Sequence, residues 1–277
     1  MIITDEVLVK LLNDFAIPTA IDAGQECLRF HRKNFDIDYK PDNSPVTQAD
    51  IAANDIICEK LAKTGYKILS EETAHASYSE RKNWQTYWLI DPIDGTKEFV
   101  KGGNEFTVNI ALIHENMPQL GVVYAPALSE IWYGYGKNYA FKAKINESLE
   151  LINPEKLPCQ NHKNIRIVAT KSHMNEDISR FLVDMKNKFP DSEIAHIGSS
   201  LKLCYIADGN ANIYVRFRPI NEWDIGAGHA IVRAAGGKMI EIKTQKEIPY
   251  NTVNMKTPDF IASGNMTVLN KVMREIV

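Results

Sequence analysis

No stretch of this 277-residue sequence approaches the roughly 20 consecutive apolar residues that a membrane-spanning helix requires, so a soluble protein is expected. Charge of one sign is not in excess either. With 32 Lys and Arg against 35 Asp and Glu, the net charge is -3, which provides no general field to attract a nucleic-acid backbone. Any anion the chain binds must meet a local site. Cysteine is scarce: Cys27, Cys58, Cys159 and Cys204 are scattered without a CxxC pair, which argues against a zinc knuckle or a disulfide framework. They read as reduced thiols of a cytoplasmic protein. The N-terminal stretch carries Asp5, Glu6 and Lys10 among its apolar residues and lacks the cationic leader and cleavage site of a signal peptide. A peripheral association with an inner membrane, should the source be bacterial, is compatible with this composition. Low-complexity tracts and internal repeats are missing too. What is there, 44% hydrophobic and 24% charged residues, is ordinary globular composition, and the length suits two packed domains.

Hydrophobic periodicity predicts a long helix over about residues 5 to 33, with Leu8, Leu11, Leu12, Phe15, Ala23, Cys27 and Phe30 inward and a kink at Pro18. "KPDNSPVTQAD" is turn chemistry followed by a helix start, and a second amphipathic helix closes near Gly65. "KILSEE" and "YWLID" read as strands that end in acids. The alternating stretch from Phe106 to Gly136, broken at "ENMPQ", reads as antiparallel strands. Residues 145 to 164 are polar with two prolines and are taken as the boundary between an α+β domain (1–150) and an α/β domain (160–277). In the latter, strands and helices alternate as far as the glycine-containing helix "WDIGAGHAIVRAAGG" and the strand behind it.

The acids carry the chemistry. Asp91 closes an apolar strand, and Pro92 is expected to stop ladder pairing there. Asp94-Gly95 turns the chain, and Thr96 opens a helix whose free N–H groups suit an anion. Alone, this pattern fits a turn and a helix cap equally well. Glu71, at the end of the preceding strand, and Asp224, at the start of the glycine helix, change the balance. Four carboxylates meeting in one cleft would repel one another and would need cations. Oxygen donors without Cys or His select hard ions, magnesium first, with manganese or calcium as competitors.

"SPVTQAD", "LSEE", "DPIDGTKEF" and "WDIGAGHAI", in this order along the chain, together resemble the metal-dependent, lithium-sensitive phosphomonoesterases of the inositol monophosphatase superfamily. The resemblance is nearest to the CysQ group of 3′(2′),5′-bisphosphate nucleotidases and covers nearly the whole chain. It implies a layered α-β-α-β-α sandwich and two or three Mg2+ ions, with Mn2+ able to substitute. The implied metal ligands are Glu71, Asp91, the carbonyl of Ile93, Asp94 and Asp224. The implied water-activating pair is Asp50 and Thr96. The implied reaction is removal of the 3′-phosphate of adenosine 3′,5′-bisphosphate, with its sulfated form as a further substrate, in sulfur assimilation.

Glu71, Ile93, Asp94, Gly95, Thr96 and Asp224 would also border the substrate. The basic contacts for its second phosphate are sought in "IGSSLK" and "YVRFRP", which supply Ser199, Ser200, Lys202, Arg216 and Arg218, with Lys202 and Arg216 preferred. His173 reads first as a polar loop residue, His229 as structural, and Trp223 as core. The expected partner is a small nucleotide bisphosphate, and nucleic acid is not expected. Oligomeric state is left open. The rival readings are an inositol monophosphatase or sugar bisphosphatase with the same metals, and a non-catalytic module that binds metal and nucleotide.

Overall fold

The computed structural model describes residues 3–33, 37–39, 45–73, 75–160, 162, 164–171 and 174–276. Helix α1 (Asp5–Leu11) runs through a π-helical turn at Leu12–Ala16 into α2 (Ile17–Phe30). The widened turn is where the kink expected at Pro18 is absorbed, since the proline nitrogen has no hydrogen to donate backwards. A short antiparallel pair, β1 (Ile37–Tyr39) and β2 (Pro45–Thr47), leads into α3 (Gln48–Ala62). Then follow β3 (Lys67–Ser70), the single turn α4 (Tyr78–Arg81), β4 (Thr86–Asp94) and α5 (Thr96–Val100). The meander comes next, with β5 (Thr107–His114), β6 (Met117–Ala125), β7 (Glu130–Tyr135), β8 (Tyr139–Ile145) and β9 (Leu151–Lys156). After it lie β10 (Arg166–Thr170), α6 (Glu176–Lys188), β11 (Glu193–Ile197), α7 (Leu201–Asp208) and β12 (Ile213–Arg216). The chain ends with α8 (Gly226–Ala234), β13 (Lys238–Glu241), β14 (Phe260–Ser263) and α9 (Met266–Ile276).

Two sheets organise these elements. The first has the order β3-β4-β5-β6-β7-β8-β9, antiparallel except for the parallel β3-β4 pair. The second has the order β11-β10-β12-β14-β13, with β10 parallel to both its neighbours and β14 antiparallel to both of its own.

Three apolar cores hold five layers of secondary structure together, the middle core enclosing α7 and α8 between the two sheets. Trp88 and Ile90 of β4 point into a core shared with α1, α2 and α3, where Leu12, Ala20, Cys27 and Ile57 are fully buried. Tyr87 and Leu89, on the other face, point into a second core with Leu203 of α7, Ile231 of α8 and Tyr214 and Phe260 of the second sheet. The opposite face of that sheet, through Ile167, Val215 and Ile261, packs on Phe181 of α6 and Val272 of α9. Both faces of β4 are therefore covered, which is why its sequence is a continuous apolar run rather than an alternation. The result is the expected α-β-α-β-α sandwich.

The glycines of α8 let the middle layer close up. A Cβ at Gly228 would collide with Leu203 of α7, and one at Gly121 of β6 would run into the Ala227 carbonyl. Two expectations need correction. The stretch taken as a boundary contains β9, which pairs with β8, so the first sheet extends to Lys156. Its pattern Leu-Ile-Asn-Pro-Glu-Lys does not alternate because an exposed edge strand needs no apolar face. Pro92 does not end the ladder either: pairing passes from Asp91↔Asn109 through a bulge to Asp94↔Thr107. Among the described residues no helix is long and apolar enough to cross a membrane.

Candidate active site

The two helices of the middle layer, α7 and α8, begin where β3 and β4 end, and a cavity of about 220 Å³ lies at this junction. Its walls include Glu71, Asp91, Ile93 and Asp94 from the first sheet, and Asp224 from the turn before α8. Glu71 follows β3 and is held by its own N–H, which donates to the carbonyl of Ile90 at 3.1 Å. Asp224 accepts from the N–H of Asn221 at 3.1 Å.

One carboxylate oxygen each of Glu71, Asp91 and Asp224 lies within 4.8 Å of the others. Asp91 is 1% exposed, and its Oδ1 is buried with no hydrogen-bond partner. Burial, reinforced by Glu71, Asp94 and Asp224, holds the Asp91 carboxyl well above the usual carboxylate range. Asp224 is raised in the same way, by burial and then by Asp94 and Glu71. Burial also raises Asp94, against the opposing pull of Lys202 and a hydrogen bond from Ser200. Carboxyls crowded together with an orphaned buried oxygen fit a hard divalent cation, and the donors are all oxygen.

Behind the cavity Asp50 is 1% exposed and performs two tasks. Its Oδ2 accepts from the N–H of Thr47 at 2.7 Å and from the Thr47 hydroxyl at 2.6 Å, a capping box that starts α3. Its Oδ1 lies 3.5 Å from the Thr96 hydroxyl, which also sits 3.0 Å from the carbonyl of Ile93. Burial pushes the Asp50 carboxyl up to about 6. Gly95 links these groups to β4 with φ +90, and a Cβ there would meet the carbonyl of Glu105 at 2.8 Å.

The second half of the wall is basic. Lys202 is 9% exposed and donates to the carbonyl of Ser199, and burial lowers its ammonium against the pull of Asp94. Arg216 lines the same cavity with its Nε buried and unpartnered. Ser199 and Ser200 are also on the wall, whereas Arg218 is exposed and away from it. Trp223 packs in the middle core, and His173 lies outside the described residues. His229 is buried against the hydroxyl of Tyr250 at 3.0 Å, as a structural residue would be.

Sequence reasoning missed three supports. Glu105 accepts from the N–H of Gly198 at 2.8 Å and from Lys171 at 3.3 Å, joining the two sides of the cavity. Arg81, 2% exposed, donates to Asn251 at 2.7 Å and to the carbonyl of Val253 at 2.8 Å; Asn251 in turn donates through its N–H to Glu222. Asn109 faces Asp91 across the ladder. A polar residue inside the otherwise apolar "TVNIALI" was its one visible signal.

A cluster of carboxylates spanning both halves, with the Thr96 hydroxyl and the basic side chains of Lys202 and Arg216 beside it, is the arrangement of a metal-dependent phosphate-ester hydrolase. The chain matches the inositol monophosphatase family over residues 9–277 and belongs to that family. It is 42% identical over 210 residues to the 3′(2′),5′-bisphosphate nucleotidase CysQ of Buchnera aphidicola, covering 75% of each chain. With the CysQ of Escherichia coli K12 it shares 41% over 206 residues, 74% of this chain and 79% of that one. The crystal structure of CysQ from Bacteroides thetaiotaomicron superposes with a TM-score of 0.80 at 35% identity, covering 90% of this chain and 95% of that one. An inositol monophosphatase from Thermotoga maritima follows at 0.72 and 25%, covering 95% and 98%. Within the family the chain groups with CysQ.

Proposed function

We propose that this chain is a magnesium-dependent phosphatase that removes the 3′-phosphate of adenosine 3′,5′-bisphosphate, leaving AMP. The observation that carries the reading is the gathering of Glu71, Asp91 and Asp224 around a buried, unpartnered Asp91 oxygen. Those three, with Asp94 and the Ile93 carbonyl, would hold two or three magnesium ions, and manganese can replace them. Bound divalent ions neutralise the phosphate, acidify a water and stabilise the leaving oxygen.

The residues of the chain supply the rest. Thr96 orients the attacking water through its hydroxyl, and the proton passes by way of that hydroxyl toward Asp50 Oδ1, 3.5 Å away. An Asp50 carboxyl raised to about 6 is better matched to proton transfer near neutral pH than an ordinary aspartate. Water attacks phosphorus, the P–O bond to the ribose 3′-oxygen breaks, that oxygen takes up a proton from solvent while Asp50 releases the one it received, and AMP and inorganic phosphate leave. The turn at Gly95 and Thr96 cradles the reacting phosphate, while Lys202 and Arg216 supply positive charge for the second. The names of the CysQ relatives support this substrate. The sulfated nucleotide, and with it a role in sulfur assimilation, extends the same reading. The four free cysteines fit a reducing cytoplasm.

The test is phosphate release from adenosine 3′,5′-bisphosphate, inositol monophosphate and fructose 1,6-bisphosphate, with and without magnesium. Magnesium-dependent turnover highest on the nucleotide is expected. Faster turnover of inositol phosphate would move the assignment to that substrate, and tight nucleotide binding without release would reject an enzyme.

A further inference from the structure

Ser200 is 4% exposed, and three groups meet its hydroxyl oxygen: Asp94 Oδ2 at 2.6 Å, the Asp224 carbonyl at 2.7 Å and Asn109 Nδ2 at 2.8 Å. A hydroxyl has one proton to donate and two lone pairs. Carboxylate and carbonyl oxygens only accept, so Asp94 and Asp224 compete for that proton. The third neighbour must therefore be a donor, which fixes the Asn109 amide with its nitrogen toward Ser200. The opposite end of that amide, Oδ1, is buried without a partner in a residue 1% exposed. An orphaned buried oxygen is a cost to the fold, and the donor contact with Ser200 is what this orientation secures. Asn109 is itself placed by the ladder, directly opposite Asp91. One hydroxyl thus touches the end of β4 and the turn before α8, two segments whose carboxylates repel.

We propose that Ser200 is a positioning residue whose hydroxyl, oriented by Asn109, ties Asp94 to the Asp224 segment and holds the carboxylates in a cation-ready array. The proposal rests on the reading of these carboxylates as metal ligands. It also takes the Ser200 proton away from the substrate, because Asp94 and the Asp224 carbonyl already compete for it, and leaves one lone pair of the hydroxyl beyond the one that Asn109 fills.

Calorimetric titration of Mn2+ into the metal-free protein tests it. Ser200→Ala is expected to weaken Mn2+ binding about 10- to 100-fold, the usual effect of losing a group that orients metal ligands. Ser200→Thr, which keeps the hydroxyl, should bind close to the wild type, and Asn109→Leu should lose a smaller factor. Because Asn109 acts through the hydroxyl, adding Asn109→Leu to Ser200→Ala should cause no further loss. Melting curves without metal establish that each variant is folded. Unchanged affinity in a folded Ser200→Ala protein, or losses that multiply in the double variant, would overturn the proposal. If Ser200→Ala does not fold, wild-type affinity in Asn109→Leu overturns it instead. Wild-type protein that binds no Mn2+ sinks both this inference and the reading beneath it, whereas wild-type binding with indifferent variants sinks this one alone.

Discussion

Replacing Asp91 by Asn separates the two properties of the acidic cluster, its cost to the metal-free fold and its capacity to hold cations. The ligand oxygens of Glu71, Asp91 and Asp224 lie within 4.8 Å of one another. At an effective dielectric constant of about 20, two full charges at that separation repel by roughly 3 kcal/mol. Asp91 takes part in two such pairs, but part of the repulsion is already relieved by protonation, because its folded-state pKa is raised. The net gain for metal-free Asp91→Asn should be about 1 to 3 kcal/mol, or roughly 2 to 10 °C in Tm. An acid with a raised folded pKa contributes stability that is complete below its unfolded pKa and is lost as pH rises through the folded value. The advantage of the variant should therefore widen from pH 5.5 to pH 8. Magnesium should reverse the order: at about 100 times its Kd it stabilises the wild type by about 2.7 kcal/mol, and Asp91→Asn should lose at least half of that response. Melting curves at two pH values, with and without magnesium, measure all of this. A less stable metal-free variant that keeps the full magnesium response would refute the reasoning.

Three further perturbations address other parts of the site and its surroundings. Lys202→Ala should raise KM for a nucleotide bisphosphate about tenfold more than for a monophosphate, since a charged hydrogen bond is lost only with the former; steady-state kinetics on the pair decides, and equal changes would show that Lys202 does not read the second phosphate. Gly95→Ala places a Cβ 2.8 Å from the Glu105 carbonyl at φ +90, so about 1 to 3 kcal/mol of stability should be lost in urea unfolding, together with most activity. His229, pushed down to about 3 by burial and then by Arg233, stays neutral in the fold while the unfolded chain takes up a proton below its ordinary value. From about pH 7.5 to 5.5 the wild type should lose about 1.4 kcal/mol more stability than His229→Gln, and parallel pH dependences would disprove a buried neutral imidazole.

Much of this protein was legible in its sequence because local chemistry and periodicity act over a few residues. The apolar run before Asp91, the Asp94-Gly95 turn and the "QAD" helix start are each decided by backbone propensity and by caps that neighbouring residues supply. The motif order carried the family, and with it the fold. The sequence was silent wherever a residue's role depends on a partner far along the chain. Asn109 and Ser200 are 91 residues apart, and Arg81 and Asn251 are 170 apart, so no local pattern marks either pair. The bulge after Asp91 and the edge strand β9 are set by cross-strand pairing, which propensity at Pro92 or Pro154 opposes.

The sequence by itself determined which side chains could bind a cation and which backbone positions must turn, because charge, hydroxyl chemistry and glycine conformation belong to the residue. Only the tertiary structure decided that Glu71, Asp91 and Asp224 share one cavity, that Asp50 reaches it through Thr96, and that the Ser200 hydroxyl joins the two halves. Those are distances between segments, and packing of β4 against α7 and α8 across a common core is what sets them.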